Sequence, residues 1–319
     1  MSHLTNPLAT PNQLSSNPSS HLPPEIQDSI RFYTARLTQA AGILLRLPQD
    51  ITAQANVLLF RYWLVDGMME WEFSDVSAAT LYLTAKISAS PRSLRSITNV
   101  YAFLTSPTGE EYLSSSSPID KDTKPDPTTY YLSESTYITK RNHLLRLEGQ
   151  ILNALGFNTH VALPHPLAIT YLQTVDVFSS SHKSKSKNIG KQVAARTIAH
   201  LNTALLSPQQ LYLTHQPSAL ATAAIYLAAR ETGLKLPEVE WWEVFDVERE
   251  ELGFLVVGMG SLEGVVGREV ERWGKGKGKG MIGRRDVEGV LGNGNGRPGD
   301  VVEDEESEMG RLLDEKVGA

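Results

Sequence analysis

Few side chains in this sequence have the type and spacing for covalent chemistry. The chain contains no cysteine, so it has no thiol nucleophile, no disulfide and no thiolate ligand for zinc. Its eight histidines show neither HExxH nor another zinc spacing; His160 and His165 fall in a linker and His200 on a helix flank. A formal GxGxxG occurs at Gly278, Gly280 and Gly283, but such a loop cradles phosphates only between a strand and a helix, and no strand precedes it. Lys277 and Lys279 are each followed by glycine where a phosphate-binding loop needs a hydroxyl, and GxSxG is absent. Two charges remain, Lys86 and Glu148, each written into an apolar helical stretch. A buried glutamate can serve as a general acid, yet no second acid lies at a workable spacing from Glu148. Catalysis is not indicated, and neither a cofactor nor a metal is expected.

The elements around these charges explain why they matter. Residues 73–92, FSDVSAATLYLTAKISASPR, read as a helix apolar or small in nearly every direction, with Ser74 or Asp75 as its cap and Pro91 closing it. A helix of that kind belongs inside a bundle. Lys86 sits in its last turn, where the helix dipole favours a cation. A second copy, PSALATAAIYLAAR from Pro217 to Arg230, aligns Leu81, Tyr82, Leu83, Ala85 and Lys86 with Ile225, Tyr226, Leu227, Ala229 and Arg230. The two copies stand about 144 residues apart, too far for a solenoid repeat and right for a duplicated domain.

Glu148 lies on a predicted helix from Thr136 to Leu155, with Gly156 placed for a left-handed cap. Leu144, Ile151 and Leu155 form the apolar stripe, and Glu148 points into its middle. An unpaired carboxylate there would cost several kcal/mol. Either it closes an internal pair with Lys86, or both groups line a groove that awaits another protein's backbone.

Further predicted helices run from Ile30 to Leu47, from Asp50 to Gly67, from Ser93 to Leu104, from Pro166 to Phe178, from Ile189 to Leu206, from Glu238 to Asp246, and from Glu248 to Trp273. Glycines weaken the last of these. Residues 105–134 read as a long exposed insertion loop, and the basic stretch after Phe178 as a loop whose lysines are either solvated or a weak localisation or phosphate-contacting patch. Trp241, Trp242 and Phe245 are either core packing or a partner patch. Residues 1–25 and 274–319 are polar or Gly-rich, without apolar periodicity, and are expected to be disordered. No strand pattern of useful length occurs, so the fold class is all-α.

A chain of 319 residues with 41% hydrophobic content can bury two ordinary cores. Its formal charge of −6 supplies no global field for nucleic acid or an anionic membrane. The start lacks the features of a secretory signal and no run is apolar enough to span a bilayer. The expected location is the nucleus or cytosol, with no membrane and no small-molecule substrate.

Two five-helix patterns, each with an Ala-rich central helix ending in a base, resemble the paired boxes of the cyclin family. YLTAKISASPR looks like the family's LASKxEE segment, and RLEGQILNALGF like the end of a first cyclin box. AAGILLRLP, LPHPLAITYLQ and SALATAAIYLAAR are most similar to transcription-type cyclins, those of the L type above all. The resemblance implies boxes over 26–158 and 159–273 and a nuclear regulatory subunit, not an enzyme, that activates a cyclin-dependent kinase in transcription or RNA processing. It also implies that Lys86 and Glu148 bond the kinase beside a groove formed by Leu83, Ile87, Leu152 and Phe157. Ser88 and Ala89 stand where the family usually has acids, and the arginine-serine repeats of the L type are missing. A DNA-bound basal transcription factor of the IIB type shares the duplicated fold, but would be expected to carry a zinc ribbon and basic faces. A third reading is a helical adaptor that binds no kinase.

Overall fold

A computed structural model describes residues 4–114, 130–178, 187–237, 239–274 and 280–292. Among these residues the chain is all-helical: α1 (Pro11–Ser15), α2 (Pro24–Leu44), α3 (Gln49–Val65), α4 (Phe73–Ile87), α5 (Leu94–Leu104), α6 (Pro107–Ser114), α7 (Glu134–Ala154), α8 (Pro164–Thr174), α9 (Lys187–Ala204), α10 (Leu211–Thr214), α11 (Pro217–Thr232), α12 (Arg249–Gly260), α13 (Leu262–Trp273) and α14 (Arg284–Gly292).

Two helices are wrapped by the others. α4 packs against α2, α3, α5 and α7, and α11 packs against α8, α9 and α12. Composition makes this arrangement necessary: α4 buries Val76, Ala79, Leu81, Leu83 and Ala85, so each of its sides needs a neighbour. α11 buries Ala221, Ala224, Ile225 and Ala228 likewise. Complete burial of a leucine such as Leu81 contributes about 1.5–3 kcal/mol.

α4 also hides hydroxyls that find partners inside the bundle. Thr80 and Thr84 donate to the carbonyls of Val76 and Thr80 at 2.9 and 3.1 Å. Ser77 Oγ lies 2.7 Å from Thr38 Oγ1 of α2 and 2.6 Å from the Tyr101 phenol of α5. This buried trio joins three helices, and burial raises the Tyr101 phenol well above its ordinary range despite those bonds.

Several elements differ from the sequence reading. The expected loop over 105–134 begins with α6, where Gly109 rests on the Phe103 carbonyl and Leu113 is buried; residues 115–129 and the basic stretch 179–186 lie outside the described residues. The single helix expected over 248–273 is two, because Ser261 Oγ takes the Gly258 carbonyl at 2.8 Å beside weak glycine positions. The helix expected over 238–246 is a single 3-10 turn, Glu243–Phe245. Trp241 and Phe245 are buried, and Phe245 stacks on Tyr171 with ring centroids 3.8 Å apart. That aromatic group is therefore core.

Order also reaches further toward both ends than composition implies. Residues 4–22 form a strap across both bundles: Ala9 N donates to the Leu213 carbonyl at 2.8 Å, and Met68 N donates to Ser19 Oγ at 2.7 Å. Beyond α13, whose Trp273 Nε1 donates to Ser29 Oγ of α2 at 3.0 Å, residues 280–292 return to the first bundle. Ile282 and Val287 are buried there, and Arg284 donates to the Glu70 carbonyl at 3.2 Å. Contacts far away in sequence order these segments, and local composition carries no trace of them. Residues 1–3, 275–279 and 293–319 lie outside the described residues.

Candidate partner-binding site

α4 and α7 lie against each other, and at the C-terminal end of α4 a base from one meets an acid from the other. Lys86 Nζ donates to Glu148 Oε1 at 3.0 Å. The lysine side chain is 54% exposed and the glutamate 7%. Its bond to the Glu148 carboxylate, and then that carboxylate's charge, hold the Lys86 ammonium above the ordinary lysine range. The same ammonium lies 5.6 Å from the centre of the Tyr82 ring, one helical turn back, so the base is steered by both a carboxylate and an aromatic face.

The apolar residues expected beside this pair divide into two groups. Ile87 and Phe157 are exposed, at 52% and 68%. Leu83 is buried and Leu152 half-buried against the core, so in the free chain they support the surface from below. Leu152 follows Glu148 by one turn of α7, and its carbonyl accepts from Phe157 N at 2.9 Å.

The turn after α7 has a cap of the expected kind, with Gly156 at φ +56°. Phe157 follows at φ +61°, a left-handed conformation that costs a residue with a side chain about 1–3 kcal/mol. Surrounding bonds maintain it. Gln54 Nε2 donates to the Thr159 carbonyl at 2.8 Å and Arg61 to the His160 carbonyl at 2.8 Å. A large exposed apolar ring is thus carried on a strained turn pinned by α3.

Sequence reasoning overlooked Tyr82 and Arg61. Tyr82 was detectable, standing four residues before Lys86 on one helix. Arg61 was not, since its role depends on a linker ninety-odd residues away. Among the described residues, no group of three His, Asp or Glu side chains is placed to hold a metal.

Two helical bundles, each wound around an Ala-rich helix, form the duplicated all-α fold expected of paired cyclin boxes. A chain in the crystal structure of the yeast RNA Pol II CTD kinase CTDK-1 complex superimposes with a TM-score of 0.60 at 11% identity, covering 95% of this chain and 88% of that one. A chain of the CAK complex from Chaetomium thermophilum bound to ATP-gamma-S gives 0.51 at 15% identity, covering 92% and 86%. At these identities the likeness concerns the fold alone.

Sequence similarity is more particular, and the relatives it finds are cyclins of the L type. The chain is 30% identical to cyclin-L1 of Homo sapiens over 228 residues, 71% of this chain and 38% of that protein. It is 29% identical to cyclin-L1 of Gallus gallus over 235 residues, 73% of this chain and 39% of that protein. The match to cyclin-L2 of Homo sapiens has the same 29% identity and covers 40% of that protein. The chain therefore spans well under half the length of these relatives. No family model matches it.

Proposed function

We propose that the chain is a regulatory subunit that binds a cyclin-dependent protein kinase and activates it allosterically, in transcription or RNA-processing control in the nucleus. The observation that carries this reading is the Lys86–Glu148 pair, with its exposed base and buried acid 3.0 Å apart, flanked by exposed Ile87 and Phe157. A pair of this kind can be opened by a partner that offers a carbonyl to the ammonium and an N–H to the carboxylate. The two exposed apolar residues would supply the dry contact around it. Binding that moves a kinase helix assembles the kinase's own Lys–Glu and metal sites, so the regulatory chain needs no catalytic group. Under this reading the first box comprises residues 26–158 and the second 159–273, and the kinase face is built from Lys86, Ile87, Glu148, Leu152 and Phe157 over Leu83.

The experiment is a pull-down from extract of the source organism, comparing wild type with the Lys86→Glu, Glu148→Lys double variant and identifying captured proteins by mass spectrometry. The double variant retains opposite charges at the seam but reverses what a partner meets. A cyclin-dependent kinase captured by wild type and lost from the folded variant is the expected result. Equal capture by both would refute the assigned face, and capture of other proteins alone would favour the adaptor reading.

A further inference from the structure

We propose that the N-terminal strap presents the kinase-binding face, with Asn6 as its positioning residue; this rests on the kinase reading above. Asn6 is only 6% exposed, and its amide groups are engaged on two sides. Its carboxamide closes a two-bond pair with the backbone of Ala162 in the linker between the bundles: Nδ2 donates to the Ala162 carbonyl at 2.8 Å and Oδ1 accepts from Ala162 N at 2.8 Å. Its backbone closes a second pair with the side chain of Gln216, the residue that precedes α11. Asn6 N donates to Gln216 Oε1 at 3.0 Å, and Gln216 Nε2 donates to the Asn6 carbonyl at 3.1 Å. Arg61 of α3 adds a contact to Asn6 Oδ1 at 3.3 Å.

Nested two-bond pairs fix rotation as well as distance, so this one residue sets linker, second bundle and α3 relative to one another. The far end of the strap is equally anchored. Gln27 Nε2 donates to the carbonyls of Ser19 and Leu22, both at 3.0 Å.

The link to the kinase face runs along the backbone. After Phe157 the linker is held at Thr159 and His160 by Gln54 and Arg61, both from α3, and at Ala162 by Asn6. Phe157 is 68% exposed, so the direction of its ring follows from the backbone that carries it. Releasing Ala162 frees the end of that backbone and the seat of α11 together. Asn6 therefore orients Phe157 for the partner without itself touching that partner.

The test uses the full chain as wild type, Asn6→Ala, Phe157→Ala and the double variant, titrated with the recombinant kinase identified by the capture experiment. Amide exchange over 158–163 and Tm are followed alongside. We expect Asn6→Ala to weaken kinase binding about tenfold and to speed exchange in the linker, with the double variant no weaker than Phe157→Ala alone. That non-additivity separates positioning from a general loss of stability, which would lower Tm without coupling to Phe157. Multiplying fold-changes, or unchanged affinity despite faster exchange, overturns the proposal. If Asn6→Ala does not fold, Gln216→Ala takes its place, since it removes the outer pair only. A wild type that binds no kinase refutes the functional reading itself, and this role with it.

Discussion

Lys86 and Glu148 share one 3.0 Å hydrogen bond yet occupy unequal surroundings, the base largely in solvent and the acid almost wholly out of it. Their removal should therefore have unequal effects on stability. Lys86→Met leaves a buried carboxylate without its cation and should cost roughly 1–3 kcal/mol. Glu148→Gln leaves an exposed ammonium that water can serve, at less than about 1 kcal/mol. Urea unfolding of the two variants checks the order, and both should lose kinase affinity. A larger loss from Glu148→Gln would mean that the pair is not divided in this way.

His165 gives the fold a pH response of known sign. Its Nε2 meets Asn202 Oδ1 at 2.9 Å while Nδ1 is buried without a protein partner, and burial lowers its pKa below the ordinary 6.5. The unfolded chain thus takes up a proton near 6.5 that the folded chain refuses, and stability from this residue falls as pH drops below that value. His165→Gln should flatten the decline between about pH 7.5 and about pH 5.5, read as the difference in unfolding free energy from wild type so that other titrating groups cancel. Parallel curves would exclude the effect.

Gly109 is a position where only the absence of a side chain fits. A Cβ there would stand 2.0 Å from the Phe103 carbonyl oxygen and 2.6 Å from Leu104 Cα, and backbone cannot yield cheaply. Gly109→Ala should destabilise by about 2 kcal/mol or more, or release α6 and expose Leu113. Thermal melting and protease sensitivity of residues 107–114 distinguish these outcomes from a neutral change.

The C-terminal return is held by two buried side chains, Ile282 and Val287. Val287→Asp should free it, since an unpaired carboxylate is costly in that setting. Trypsin would then cut rapidly at Arg284 and Arg285, and melting of the first bundle should fall by a few degrees. Resistance equal to wild type would show that Arg284 and its bond to the Glu70 carbonyl suffice.

Much of this was legible in the residues. The all-round apolar pattern of 73–92, its copy at Pro217, and an acid inside an apolar stripe located α4, α11 and the Lys86–Glu148 contact, because helical periodicity and the cost of buried charge are local rules. The same reasoning could not see α6, whose formation depends on Phe103 and Leu104 receiving a bare Gly109, nor the strap. Residues 4–22 are polar and proline-rich, and they are ordered by partners such as Ala162, Gln216 and Met68, up to 210 positions away. Leu83 was grouped with exposed Ile87 on the resemblance alone, and a helix apolar on every side does not announce which apolar residues stay outside.

The trio Thr38, Ser77 and Tyr101 bears on how this core can change over evolutionary time. Ser77 is the shared partner: an apolar residue at Thr38 or Tyr101 alone still leaves Ser77 one bond. Loss of Ser77 takes that partner from the buried Tyr101 phenol, while Thr38 keeps the Thr34 carbonyl at 2.9 Å. Substitution should therefore follow an order, with the Tyr101 hydroxyl lost before Ser77. Descendants of a common ancestor would then be found with Phe at 101 beside a retained Ser77, and rarely with the reverse.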